Sequence, residues 1–183
     1  MATTTVQMSG TTTPDDWTLA AGASKVAAVN QPDNDATSYI QSGTTTNTYQ
    51  YFTCSPGLAS GDTITQIVVN ARCRRGGASD CTFRIGYSFT PSGGGSQTGE
   101  SGAGVLEALN AWNNFTFTDS GLSVVWGSSM TFWIRNTQGR QLHCTTLYAE
   151  ITYTPVASGD GQPMVARTRL VPGMGRAHGH QGW

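Results

Sequence analysis

The chain has 183 residues, of which 37% are hydrophobic and only 11% charged, with a formal net charge of −1. A soluble domain usually carries about a quarter charged residues. Long surface helices need such residues on their outer face, so the composition argues against an all-helical fold, while abundant Thr suits the outward face of strands. No basic excess supports binding to duplex DNA, and no apolar run approaches the ~20 residues that cross a bilayer, so neither nucleic acid nor membrane is an expected partner.

Charge is unevenly placed. Residues 1–55 set Lys25 against Asp15, Asp16, Asp33 and Asp35, whereas residues 156–183 set Arg167, Arg169 and Arg176 against Asp160. An acidic beginning and a basic end are suited to attract one another between copies of the chain. The opening MATTTVQMSGTTT has neither a basic start nor an apolar core, so it is not read as a secretory signal.

In chain order, residues 1–15 are Thr-rich and patternless and read as an N-terminal arm. Strands are expected at Trp17–Ala20, at Lys25–Val29 and at Ser38–Ile40, the last following the turn material Gln31-Pro32-Asp33-Asn34-Asp35. Thr48–Cys54 is the next, closed by Ser55-Pro56-Gly57. Thr63–Arg74 and Cys81–Phe89 alternate with period two. Ile67, Val69, Ala71 and Cys73 share one face of the former, and Cys81, Phe83, Ile85, Tyr87 and Phe89 one face of the latter. The turn chemistry of Arg75-Gly76-Gly77-Ala78-Ser79-Asp80 predicts that these two strands form a hairpin.

Pro91–Gly104 reads as a flexible Gly/Ser loop, and Val105–Trp112 as strand or loop before Phe115 and Phe117 alternate into a strand. Met130–Asn136 alternates again, and Leu142–Thr154 is a long last strand closed by Pro155. Eight to ten short strands with Gly/Pro turns predict an all-β, antiparallel β-sandwich of jelly-roll type over residues 16–155. Residues 156–183 mix Gly, Pro, Arg and His with scattered apolar residues and a closing Trp183. They read as an extended C-terminal arm, either disordered or docked on a neighbouring subunit.

Candidate chemistry is sparse. Cys73 and Cys81 flank the expected hairpin loop on its apolar face, which makes them candidates for a disulfide. The alternative is four buried thiols, Cys54 and Cys144 included. The spacing of the cysteines is not that of a zinc site. His143 reads as a packed strand histidine, and His178-Gly179-His180 has no acidic partner nearby. No nucleophile elbow, phosphate-binding Gly-rich loop or His-Glu-x-x-His motif is present, so neither an enzyme nor a bound cofactor or metal is expected.

Arg72, Arg74 and Arg84 project from the outer face of the expected hairpin, with Arg75 in its loop. Together with Arg167, Arg169, Arg176 and Trp183 of the tail they are the candidate partner contacts. Among the aromatic residues, Tyr49, Tyr51, Trp112, Trp126 and Trp133 are candidates for a sugar-binding face, because aromatic rings stack on the apolar faces of sugars. Alternation sets Trp133 opposite to Phe132 and Ile134, outside the core.

The run Trp17-Thr18-Leu19, Lys25-Val26-Ala27-Ala28-Val29 and Asp33-Asn34-Asp35-Ala36-Thr37-Ser38-Tyr39-Ile40 resembles the opening of jelly-roll domains in tailed-bacteriophage virion proteins. Ile64–Gly77 and Leu147–Pro155 fit the same pattern of strands and turns, so the resemblance spans about residues 16–155. It implies a virion structural protein assembled in the host cytoplasm. Such a protein would be a capsid decoration or minor capsid protein, oligomeric and docked on the major capsid protein or other virion proteins. The alternative is a carbohydrate-binding or host-recognition module displayed on a virion, tail or cell surface.

Overall fold

The structure is a computed structural model that describes residues 1–30, 37–106 and 111–157. Its strands are β1 (Ala2–Asp15), β2 (Thr18–Ala21), β3 (Tyr39–Gln41), β4 (Thr48–Cys54), β5 (Thr63–Arg75), β6 (Cys81–Pro91), β7 (Gln97–Glu100), β8 (Gly104–Leu106), β9 (Asn113–Asn136) and β10 (Leu142–Thr154). A five-residue helix, α1 (Lys25–Val29), lies between β2 and β3.

All pairings are antiparallel, and they build an all-β sandwich of two facing sheets. In the first sheet β10 is central, with β5 and then the first half of β9 on one side. On its other side lie the first half of β1 and the short β3, with β2 beyond β3. The second sheet runs from the second half of β1 through β4, the second half of β9 and β6 to β7 and β8. Strands β1 and β9 thus belong to both sheets.

Where β1 changes sheets its ladder shifts between Met8 and Gly10. The Asn30 side chain takes over there, accepting from Met8 N at 3.1 Å and donating to Met8 O at 2.8 Å. A backbone corner that would otherwise lose its partners is satisfied by one amide.

The apolar faces of the alternating strands meet between the sheets. Ile67, Val69 and Ala71 of β5 and Leu147, Ala149 and Ile151 of β10 oppose Phe83, Ile85, Tyr87 and Phe89 of β6, Phe52 of β4, and Phe132 and Ile134 of β9, all buried. Trp17 is also buried, its indole Nε1 donating to Thr48 O at 3.3 Å.

Four expectations are corrected. Residues 1–15 are not an arm, because β1 pairs with β10 and β4 and buries Val6 and Met8 in the core. Lys25–Val29 is helical, capped by the Ser24 side chain that accepts from Ala27 N at 3.1 Å. The hairpin between β5 and β6 does not form. Both edges of β5 are taken by β10 and β9, and the chain after Arg75 instead crosses from one sheet to the other, so that the two apolar faces oppose across the core. Within the expected 91–104 loop, Gln97–Glu100 pairs with β6 as an edge strand.

Candidate functional site

The outward face of the second sheet is built by residues that alternate with the core. On β4 these are Tyr49, Tyr51 and Thr53, and on β9 they are Thr131, Trp133 and Arg135. Strand β6 adds Arg84, Gly86 and Ser88, and β7 adds Thr98 and Glu100. The register sets these side chains in rows across the strands. Tyr51, Trp133, Gly86 and Glu100 form one row, flanked by Thr53, Thr131, Ser88 and Thr98 on one side and by Tyr49, Arg135 and Arg84 on the other.

Three aromatic rings converge here. Tyr51 and Trp133 are cross-strand partners with ring centroids 6.2 Å apart, Tyr49 lies 5.8 Å from Trp133, and the two tyrosines are 5.6 Å apart. Trp133 is the floor of the cluster at 7% exposure, outside the apolar core, and both tyrosines are half-buried above it. The indole fits because its neighbour on β6 is Gly86, where a side chain would collide with the ring. Tyr49, Tyr51, Ser88, Thr98, Gly99, Glu100, Thr131 and Trp133 line a surface hollow of about 380 Å³.

Beside the rings stands a charged group of fixed geometry. The Arg135 guanidinium lies over the Tyr49 ring at 5.2 Å, donates from Nε and Nη2 to Asn47 Oδ1 at 3.2 and 2.9 Å, and reaches Glu100 Oε1 at 3.3 Å. Arg84 approaches the same carboxylate oxygen at 3.5 Å. Glu100 is therefore held between two arginines, an acceptor at the edge of an aromatic floor. Burial pushes the Tyr51 phenol above its ordinary value, with Tyr49 and Glu100 adding and Arg135 opposing. The phenol thus stays a neutral hydrogen-bond donor at physiological pH.

Of the five aromatic residues singled out from the sequence, Tyr49, Tyr51 and Trp133 come together. Trp126 instead packs in the core against Phe89, and Trp112 lies with Tyr39 and Arg74 on the first sheet. Arg135, Glu100, Asn47 and Gly86 were not singled out. Arg135 could have been found from its position two residues beyond Trp133, on the same side of the strand.

The expected arginine patch does not exist as one surface. Arg72 and Arg74 face outward from the first sheet, where Arg72 donates to Asn114 Oδ1 at 3.0 Å and Arg74 Nε donates to His143 Nδ1 at 3.1 Å. Arg75 is paired with Asp80 at 2.8 Å, and Arg84 lies on the opposite sheet with Glu100. They separate because β5 and β6 are not a hairpin. Arg167, Arg169, Arg176 and Trp183, and His178 and His180, fall outside the described residues. The expected disulfide between Cys73 and Cys81 is not formed, and all four cysteines are free thiols. Among the described residues no group of three or more His, Cys, Asp or Glu is placed to hold a metal ion.

No protein-family model matches the sequence, and no curated protein sequence matches it. Solved structures do resemble the fold. The CBM22-1 and GH10 modules of Clostridium thermocellum endo-1,4-beta-D-xylanase 10B, a structure complexed with xylohexaose, align over 80% of this chain and 28% of that one, with 13% identity and a TM-score of 0.52. The chain therefore spans well under a third of that protein's resolved length. The CBM22-1 xylan-binding domain of Paenibacillus barcinonensis Xyn10C aligns over 83% of this chain and 94% of that one, with 13% identity and a TM-score of 0.48. The enzymatically active domain of bacteriophage CBA120 tailspike protein 4 aligns over 82% and 19%, with 9% identity and a TM-score of 0.43. None of these three is a capsid protein, and the expected capsid-decoration role gains no support from them.

Proposed function

We infer that this chain is a non-catalytic carbohydrate-binding module that takes a glycan chain on the outward face of its second sheet. One observation carries the reading, the convergence of Tyr49, Tyr51 and Trp133 beside the Arg135–Glu100 pair in a hollow of about 380 Å³. Aromatic rings offer apolar area with little conformational entropy to lose, and they suit the C–H faces of pyranose rings. The hydroxyls at the ring edges need fixed donors and acceptors, which Arg135, Glu100 and the Thr and Ser row supply. The sandwich fold shared with a xylanase-linked module supports the same reading.

From β4 to β7 the row crosses three strand spacings, on the order of 14 Å. That length favours a short stretch of polysaccharide over a single sugar. Glycoside hydrolysis would call for a pair of carboxyl groups, whereas Glu100 is the one acid among the described residues lining the hollow. Binding without cleavage is the chemistry that such a lining supports.

The test is affinity electrophoresis of the whole chain in gels containing soluble xylan, β-glucan or mannan, preceded by a glycan array to choose among them. Retardation in at least one gel is expected, and Tyr51→Ala should abolish it while leaving the unfolding midpoint nearly unchanged. A wild-type chain that binds nothing on the array, or a Tyr51→Ala variant retarded as strongly as wild type, rejects the reading.

A further inference from the structure

Three thiols meet in the core at one end of the sandwich. Cys73 of β5 and Cys144 of β10 are direct cross-strand partners in the first sheet, and both are fully buried. Cys81, at the start of β6, is buried as well and comes from the opposite sheet. Directly opposed residues of an antiparallel pair have Cα atoms about 4.5 or 5.5 Å apart and side chains on the same face. Both separations lie inside the span that a disulfide bridges.

We propose that Cys73 and Cys144, rather than Cys73 and Cys81, are the pair that oxidation joins, by a bond stapling the two central strands of the first sheet. The β5–β10 register sets these two residues face to face, whereas Cys81 would have to be reached across the core. The Cys81 thiol points at Arg140 O, at 3.6 Å, and the Cys144 thiol at Thr146 O, at 3.2 Å, so carbonyl contacts do not choose the pair. The cross-strand register and the side-chain hydrogen bond between Cys73 and Cys144 do. Cys54, on β4 of the second sheet, is engaged with Met130 O at 3.6 Å and takes no part.

With oxidised glutathione as the oxidant, the Cys73 thiolate attacks one glutathione sulfur and releases one reduced glutathione. The Cys144 thiolate then attacks the Cys73 sulfur of that mixed disulfide and releases the second. The protein gives up two electrons and two protons in all, and one oxidised glutathione becomes two reduced molecules. Burial raises the Cys73 thiol well above its usual range, with the neighbouring Cys144 and Cys81 thiols adding to it, so little thiolate exists in the folded domain. The bond therefore forms as the chain folds in an oxidising medium. Once formed it is shielded from reductants.

The four cysteines fall on four tryptic peptides, 26–72, 73–74, 76–84 and 141–167, so the pairing can be read directly. The full chain is refolded in a buffer of oxidised and reduced glutathione, alkylated, digested without reduction and analysed by mass spectrometry. Peptide 73–74 should be linked to 141–167, with Cys54 and Cys81 alkylated. Reduction of the unfolded chain before refolding without oxidant should lower Tm by roughly 5–15 °C. A Cys81→Ser variant, which leaves the pair untouched, should form the same link. Linkage of 73–74 mainly to 76–84, or a folded chain with four alkylated cysteines after oxidative refolding, overturns the proposal.

Discussion

Trp133 and Gly86 are cross-strand partners on β9 and β6, and the indole of the first lies on the bare backbone of the second. A methyl group at Gly86 would stand 2.7 Å from Cε2 of Trp133 and collide with the carbonyl of Gly99. The aromatic floor exists because one residue in the row has no side chain.

Gly86→Ala should therefore tilt Trp133 off the sheet and disorder the hollow. The expected cost in stability is about 1–3 kcal/mol, the usual scale of overpacking, read by urea denaturation. Glycan retardation should be lost together with a change in near-ultraviolet circular dichroism, which reports the indole's surroundings. A variant with wild-type spectrum and binding would show that the contact does not position the ring.

Arg135→Lys separates charge from geometry. Lysine keeps the positive charge but lacks the planar fork that meets Asn47 with two N–H groups while lying over Tyr49. Affinity for the glycan should fall by about tenfold, as one charge-assisted contact is lost or misplaced. Stability should change by less than ~1 kcal/mol, because the group is near the surface. Isothermal titration and thermal unfolding on the same preparation check both.

Asp62 carries a structural role that is independent of binding. It is 3% exposed, accepts from Ala59 N and Val156 N at 2.9 Å each, and so ties the end of β10 to the turn before β5. Asp62→Ala would leave both N–H groups without this acceptor, at a cost of about 2–3 kcal/mol. Urea denaturation should show the loss. Glycan affinity measured well below the unfolding midpoint should be unchanged.

His143 gives the stability of the fold a pH dependence. Burial lowers its imidazole to about 4, with the nearby Arg74 guanidinium adding to the shift. Nδ1 already accepts from Arg74, and the Tyr39 ring is stacked on the imidazole at 4.7 Å. The unfolded chain takes up a proton as pH falls below ~6.5, whereas the folded chain resists until about 4. Stability from this group is complete above ~6.5 and declines as pH falls toward 4, by on the order of 2 kcal/mol. His143→Gln should flatten that part of the stability–pH curve.

The parts of the fold most legible in the sequence were those with strict alternation. Thr63–Arg75 and Cys81–Pro91 appear close to the expected boundaries, because nearly every second residue meets the core. Leu142–Thr154 appears with its expected boundaries although only its second half alternates, Leu142–Leu147 being buried throughout. In β1 only Val6 and Met8 point inward among threonines, and so few apolar residues do not mark a strand. Strand pairing was illegible for a different reason. Turn residues between β5 and β6 suit a hairpin and a crossing between sheets equally, and only the ladders of β5 with β9 and β10 decide.

The same limit applies to the site. Tyr49, Tyr51 and Trp133 could be nominated by face, and Trp126 shares the parity of the core residues Met130, Phe132 and Ile134. Glu100 could not be nominated, since it reaches Arg135 only through the pairing of β7 with β6.

The most direct measurement of the central claim is a two-dimensional amide and indole NMR titration of the full chain with the oligosaccharide that binds best on the array. Shift changes are predicted at the Trp133 indole and at the backbone amides of Tyr49, Tyr51, Glu100 and Arg135, with Asn70, Arg72 and Tyr148 on the opposite sheet unmoved. Changes confined to that opposite face, or none at saturating sugar, would contradict it.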